Sequence, residues 1–281
     1  MTWTSDHIKW LIDTGERLKT ADGKDVEVWE FRHEKNEAVL SAWAKHFRNH
    51  YCLDTEIDFL RGKRTRSDYL TTIKFPNKTS KLGPGIRAGD FGEILVADYL
   101  QWRFGCWVPR VRWSLKFPDE STKGSDVIGF RLHNKDGKAS TKDVLFVFES
   151  KTKFSSSTSN RLQDAINDSA KDHIRIGDSL NYIKQKLFDK KEIEQAQRIV
   201  RFQSPVDMPY EETYGATTII SDEYFDAETL ASADCRKIPK SKKSKEFFPH
   251  PNGDNLVLLI IRGSSMMALV HDLYRRAADE A

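Results

Sequence analysis

The segment VLFVFESKTKF (residues 144–154) closes an apolar run with two charged residues, Glu149 and Lys151. Side chains two apart on a strand share a face, so Leu145, Val147, Glu149 and Lys151 line up, with Val144, Phe146, Phe148 and Ser150 opposite. Both faces are apolar as far as Phe148, which predicts an interior strand covered on both sides. An unpaired buried charge costs several kcal/mol, so the two groups need each other, a metal ion or solvent in a cleft.

Two more acids break apolar patterns upstream. Glu93 interrupts the helical stretch FGEILVADYL and shares a face with Val96, Ala97 and Leu100. Asp126 opens the apolar strand DVIGF. Taken singly, each has a plain explanation: a turn residue for Asp126, a helix residue paired with Arg or Lys for Glu93, and a solvent-facing ion pair for Glu149 and Lys151. Their order (helix Glu, strand Asp, strand Glu-x-Lys) favours a metal site instead. Hydrolysing a phosphodiester needs compensation for charge growing on the phosphoryl oxygens, and a positioned water. Asp126 and Glu149 would supply oxygen ligands to Mg²⁺ or Mn²⁺, and the carbonyl of Ser150, between the two functional side chains, would add a third. Lys151 would orient the water and offset transition-state charge, with Glu93 holding a second metal or a metal-bound water.

These residues must be carried by a mixed set of elements. The N-terminal stretch IKWLIDTGERLKTADGKDVEVWEFR predicts two strands around a turn at Ala21-Asp22-Gly23, and NEAVLSAWAKHFRNHYC predicts a helix. Gly83-Pro84-Gly85 reads as a turn, followed by a helix from about Ala88 to Trp102. Strands are then expected at CWVPRVRWSLKF, SDVIGFRL and 144–154, a long amphipathic helical region at RLQDAINDSAKDHIRIGDSLNYIKQKLF, and another helix at DKKEIEQAQRIVRFQ. Strands ATTIIS and NLVLLIIRG and the helix SSMMALVHDLYRRAADEA close the chain. The pattern predicts an α/β protein: a core at 83–281 with a mixed central sheet flanked by helices, and an N-terminal α+β accessory layer at 1–82.

Composition is that of an ordinary globular chain, with 38% hydrophobic and 31% charged residues in 281. No apolar run approaches a membrane span or a signal peptide, and three scattered cysteines form no disulfide framework, which together predict a cytoplasmic protein without membrane partners. The net charge of +3 is small, but RKIPKSKKSK (236–245) holds six basic residues in ten, a solvated loop or a phosphate contact. His46 and His50 stand four apart, a spacing that suits zinc, but no third ligand is evident and a structural role is favoured. Gln163 and Lys171, after the Glu-x-Lys strand, are within reach of the site or on an exposed helix face.

With GSDVIGF as the Asp strand, FESKTKF as the Glu-x-Lys strand and GDFGE as the helical acid, the chain resembles the PD-(D/E)xK nuclease superfamily, with Ser125 where the motif has proline. More closely, AWAKHFRNHYCLD, GPGIRAGDFGEILVADYL, GSDVIGF, LFVFESKTK and RLQDAINDSAKD resemble the HamA family, small nuclease subunits of Hachiman anti-phage defence systems. This resemblance spans most of the chain. It implies a restriction-endonuclease-like fold and a metal-dependent endo- or exodeoxyribonuclease that acts with a superfamily 2 helicase subunit (HamB-like). Competing readings are a non-catalytic adaptor on a degenerate nuclease fold, binding nucleic acid or a partner, and an RNA nuclease.

Overall fold

A computed structural model describes residues 5–111, 113, 124–134, 137–240 and 245–281. A short 3-10 turn, Asp6–Trp10, leads into β1 (Leu11–Lys19) and β2 (Asp25–Phe31). The turn between them needs Gly23 at φ +86°, a conformation that glycine adopts without a Cβ clash. Next come α1 (Glu37–Tyr51), capped by the Asn36 side chain on the amide of Val39, then α2 (Asp54–Leu60), α3 (Arg66–Tyr69) and the long α4 (Gly83–Phe104). The strands β3 (Val127–Arg131) and β4 (Val144–Lys153) precede α5 (Arg161–Ser169), α6 (Asp172–Asp189) and α7 (Ile193–Val200). β5 (Glu211–Ser221), α8 (Ala227–Ala231), the two-residue strands β6 (Ile238–Pro239) and β7 (Phe247–Phe248), β8 (Leu256–Gly263) and α9 (Met266–Asp279) complete the chain.

Six strands form one mixed sheet in the order β1-β2-β8-β5-β4-β3. The inner strands β2, β8, β5 and β4 are parallel, and the outer strands β1 and β3 run antiparallel to their neighbours. Parallel strands are covered on both faces, which is why VLFVF and LVLLII are continuously apolar rather than alternating. The side chains of β4 divide between two cores. Phe146 and Phe148 pack with α1, α4 and α9, while Leu145 and Val147 pack with Leu162, Ala165 and Ile166 of α5. The α/β class, the mixed sheet and the flanking helices agree with the sequence expectation. The hairpin β1–β2, expected within the N-terminal layer, extends this sheet through β2 against β8, for example Val28 beside Ile260.

Local expectations changed where punctuation residues were misread. Gly83-Pro84-Gly85 is the first turn of α4, not a turn before it. Proline at a helix start sacrifices no intrahelical bond, and the Gly83 amide donates to Ser80 Oγ at 3.0 Å. A Cβ at residue 83 would sit 1.6 Å from the Asn77 carbonyl oxygen, so only glycine fits that approach. Residues 161–188 divide into α5 and α6, and the break sets Asp172 at the first position of α6. In CWVPRVRWSLKF, Trp107 forms a single bridge to Phe130, Pro109 has no amide to extend it, and residues 112 and 114–117 lie outside the described set. The three cysteines are buried and unpaired, as expected.

Candidate active site

The β3–β4 ladder ends at Val127 beside Phe148, and one further step of the register sets Asp126 opposite Glu149. β4 continues against β5 as far as Lys153, so past Phe148 it is anchored on one edge and released on the other. The Ser150 amide, left without a strand partner on the released edge, donates to Asp126 Oδ2 at 3.1 Å. This bond fixes the Asp126 side chain at the fork between the strands.

Val144 to Phe148 are each at most 2% exposed, and burial of each such side chain contributes roughly 1.5–3 kcal/mol. Their sum exceeds the several kcal/mol that a buried carboxylate costs, so β4 can hold Glu149 at 2% exposure. Lys151, on the same face, has its Nζ 3.5 Å from Glu149 Oε2 and 2.8 Å from Asp168 Oδ2 of α5. Asp168 also pairs with Lys171. Asp172, fully buried, accepts a 2.8 Å bond from Ser125 Oγ on its Oδ1. Glu149 Oε1 and Asp172 Oδ2 are both buried without a hydrogen-bond partner among the described residues.

The electrostatics follow from this crowding. Burial, then the charges of Asp126 and Asp172, push the Glu149 carboxyl well above the usual carboxylate range. Burial likewise pushes Asp172 up to about 7, against the Ser125 hydrogen bond that favours its ionised form. Burial works against the Lys151 ammonium, but Asp126, Glu149 and Asp168 outweigh it and hold the group above its ordinary value. Lys151 therefore stays protonated at neutral pH.

Asp126, Glu149 and Lys151 thus converge at one strand fork. Glu93 stands on α4, which covers the other face of β4: a Cβ at Gly92 would lie 2.7 Å from Thr152 Cγ2 and 3.1 Å from Ser150 Oγ. There Glu93 Oε2 accepts from Trp113 Nε1 at 3.2 Å. Gln163 is occupied elsewhere, its amide bridging the backbone of Asp234 and the side chain of Asn167. Lys171 reaches the site through Asp168. In the basic tract, Arg236 and Lys237 pair with Asp234 and Lys240 with Glu246, while 241–244 lie outside the described residues.

Sequence reasoning missed Asp168 and Asp172. The second left a signal: Leu162, Ala165, Ile166 and Ser169 are the buried stripe of α5, and three residues further on falls Asp172. The His46–His50 pair gains a neighbour that the sequence did not reveal, because Asp98 Oδ1 lies 2.8 Å from His46 Nε2 and Oδ2 lies 3.0 Å from His7 Nε2. Arg110 approaches His46 Nδ1 at 3.3 Å, so both His46 nitrogens are engaged in a buried hydrogen-bond network.

The fold and the strand fork define the class: an α/β, nuclease-like protein whose mixed central sheet carries an Asp and a Glu-x-Lys on adjacent strands. The HamA family model matches residues 6–277 of 281, and the chain belongs to the HamA family. No curated protein and no solved structure matches it.

Proposed function

We propose that this chain is a metal-dependent DNA nuclease effector of an anti-phage defence system, hydrolysing phosphodiester bonds under the control of a partner helicase. Membership of the HamA family supports the defence role. The observation that carries the nuclease reading is the buried Glu149 carboxylate, one oxygen of which has no hydrogen-bond partner among the described residues, beside Asp126 and Lys151 at the strand fork. An orphaned buried oxygen beside further carboxylates fits a hard divalent cation, Mg²⁺ or Mn²⁺. Asp126 and Glu149 would hold that ion. The Ser150 carbonyl shares the released edge with its own amide, since both groups of a strand residue point the same way, and so faces Asp126. Bound there, the cation would supply Lewis-acid compensation for charge on the phosphoryl oxygens.

The chain's own residues have separate tasks. Lys151, held protonated, cannot serve as a base; its Nζ donates hydrogen bonds that orient the attacking water and offset charge on the phosphate. Asp168 holds the flexible Lys151 stem in place with a 2.8 Å ion pair. Glu93 is assigned a supporting role from the helix side. Two variants test the reading against a non-catalytic adaptor. Asp126→Asn should weaken Mg²⁺ or Mn²⁺ binding, and Lys151→Ala should cut DNA cleavage by about 100-fold or more with binding of the ion retained. An adaptor would show neither effect.

A further inference from the structure

Three side chains able to ligate a metal meet where α1 packs on α4. His46 and His50 stand one helical turn apart on α1, and Asp98 faces them from α4. One ligand atom from each lies within 4.8 Å of the other two, and all three residues are buried. Asp98 Oδ1 lies 2.8 Å from His46 Nε2. Neither ring nitrogen of His50 has a hydrogen-bond partner among the described residues, although the residue is only 1% exposed. Buried polar atoms are as a rule hydrogen-bonded, and an unsatisfied one beside other ligand atoms points to an ion or a water.

We infer that His46, His50 and Asp98 hold a zinc ion that fastens α1 to α4. No residue of the strand fork takes part, so this site stands whether or not the fork binds a cation. Two imidazoles and one carboxylate make a nitrogen–oxygen set that suits Zn²⁺ and not the hard Mg²⁺. Three protein ligands leave the fourth tetrahedral position to a water. The surroundings of Asp98 fit a ligating carboxylate. Its Oδ2 is 3.0 Å from His7 Nε2, and His7 Nδ1 is in turn 2.8 Å from Ser5 Oγ. Stacking on Trp43, with centroids 4.3 Å apart, clamps the His7 ring. Outer partners of this kind fix the direction in which a ligand points. Trp113 meets the His50 ring edge-on at 5.0 Å and walls the site on that side.

One contact has to change when the ion binds. Arg110 Nη2 lies 3.3 Å from His46 Nδ1; a guanidinium only donates, so Nδ1 accepts and Nε2 carries the ring proton toward Asp98. With the ion on Nε2 the proton moves to Nδ1, and Arg110 must turn away. Arg110 therefore competes with the ion for this histidine.

Co²⁺ titrated into the full chain, after dialysis against a chelator, reads the site without reference to cleavage. A four-coordinate site with nitrogen ligands gives an intense visible absorption band, whereas a six-coordinate, oxygen-ligated ion at the fork gives a weak one. The wild-type chain should show the intense band, and Zn²⁺ should abolish it by displacing the Co²⁺. Loss of an outer partner lowers metal affinity by about 10–100-fold, so His7→Phe should fall in that range and His50→Gln should lose about 100-fold or more. Arg110→Met should tighten binding by removing the competing cation. X-ray absorption at the zinc edge of the wild-type chain, which does not depend on a variant folding, should show two imidazole ligands. No intense band from the wild-type chain, or wild-type affinity in folded His50→Gln, would overturn the zinc site and leave the assignment of the fork untouched.

Discussion

At the scale of residues, burying Glu149 and Asp172 among other charged groups costs stability. Asp172 titrates near 7 in the fold and near 3.8 when unfolded, so the folded protein binds more protons between those values. The stability this contributes is present at low pH and lost as pH rises through about 7; Glu149, raised in the same direction, adds to the loss. Metal-free Asp172→Asn and Glu149→Gln should therefore melt a few degrees higher than wild type at pH 8, the equivalent of roughly 1–2 kcal/mol. Thermal unfolding in a chelator checks this, and a lower melting point in both would contradict it. His50 acts with the opposite sign. Burial holds its imidazole well below 6.5, so its contribution is present above 6.5 and lost as pH falls below it. His50→Phe removes two buried ring nitrogens that have no hydrogen-bond partner among the described residues, and should flatten the fall in melting temperature between pH 7 and pH 5. Asp126, Glu149 and Lys151 were legible because each breaks an apolar pattern. Asp168 was not, because an aspartate on a polar helix face looks the same whether it meets solvent or Lys151.

At the scale of elements, the fork depends on how closely α4 lies on β4. Gly92 sets that distance, with Ser150 and Thr152 directly beneath. Gly92→Ala should displace these side chains at a cost of about 1–3 kcal/mol, and reduce cleavage by shifting the strand that carries Glu149 and Lys151. Circular dichroism melting and a cleavage assay measure the two effects, and an unchanged melt would show that the contact gives way freely. The strands β4 and β8 were readable from their continuous apolar runs, and α1 and α9 from their helical spacing. The start of α4 was not, because Gly-Pro-Gly signals a turn by composition, and only the approach of Gly83 to Asn77 shows it to be a helix start. The break between α5 and α6 was equally hidden, since the buried stripe runs through it without a change of period.

At the scale of the molecule, one sheet joins the first strands of the chain to the last, with β2 beside β8 and α1 packed on α4 and α9. Among the described residues no helix is long and apolar enough to cross a membrane. On the function proposed above, an always-active nuclease would damage its own cell, so a partner that blocks or deforms the site is expected. The isolated chain should then cut DNA faster than the resting complex with the proposed helicase; equal rates would contradict control by that partner. The measurement that bears most directly on the central claim is Mg²⁺-dependent cleavage of labelled DNA by the complex, with RNA alongside, before and after Glu149→Ala. The wild-type complex should cleave DNA, with cleavage lost in chelator and lost with Glu149→Ala. Cleavage that persists in the Glu149→Ala complex, with contaminating nuclease excluded, would contradict it.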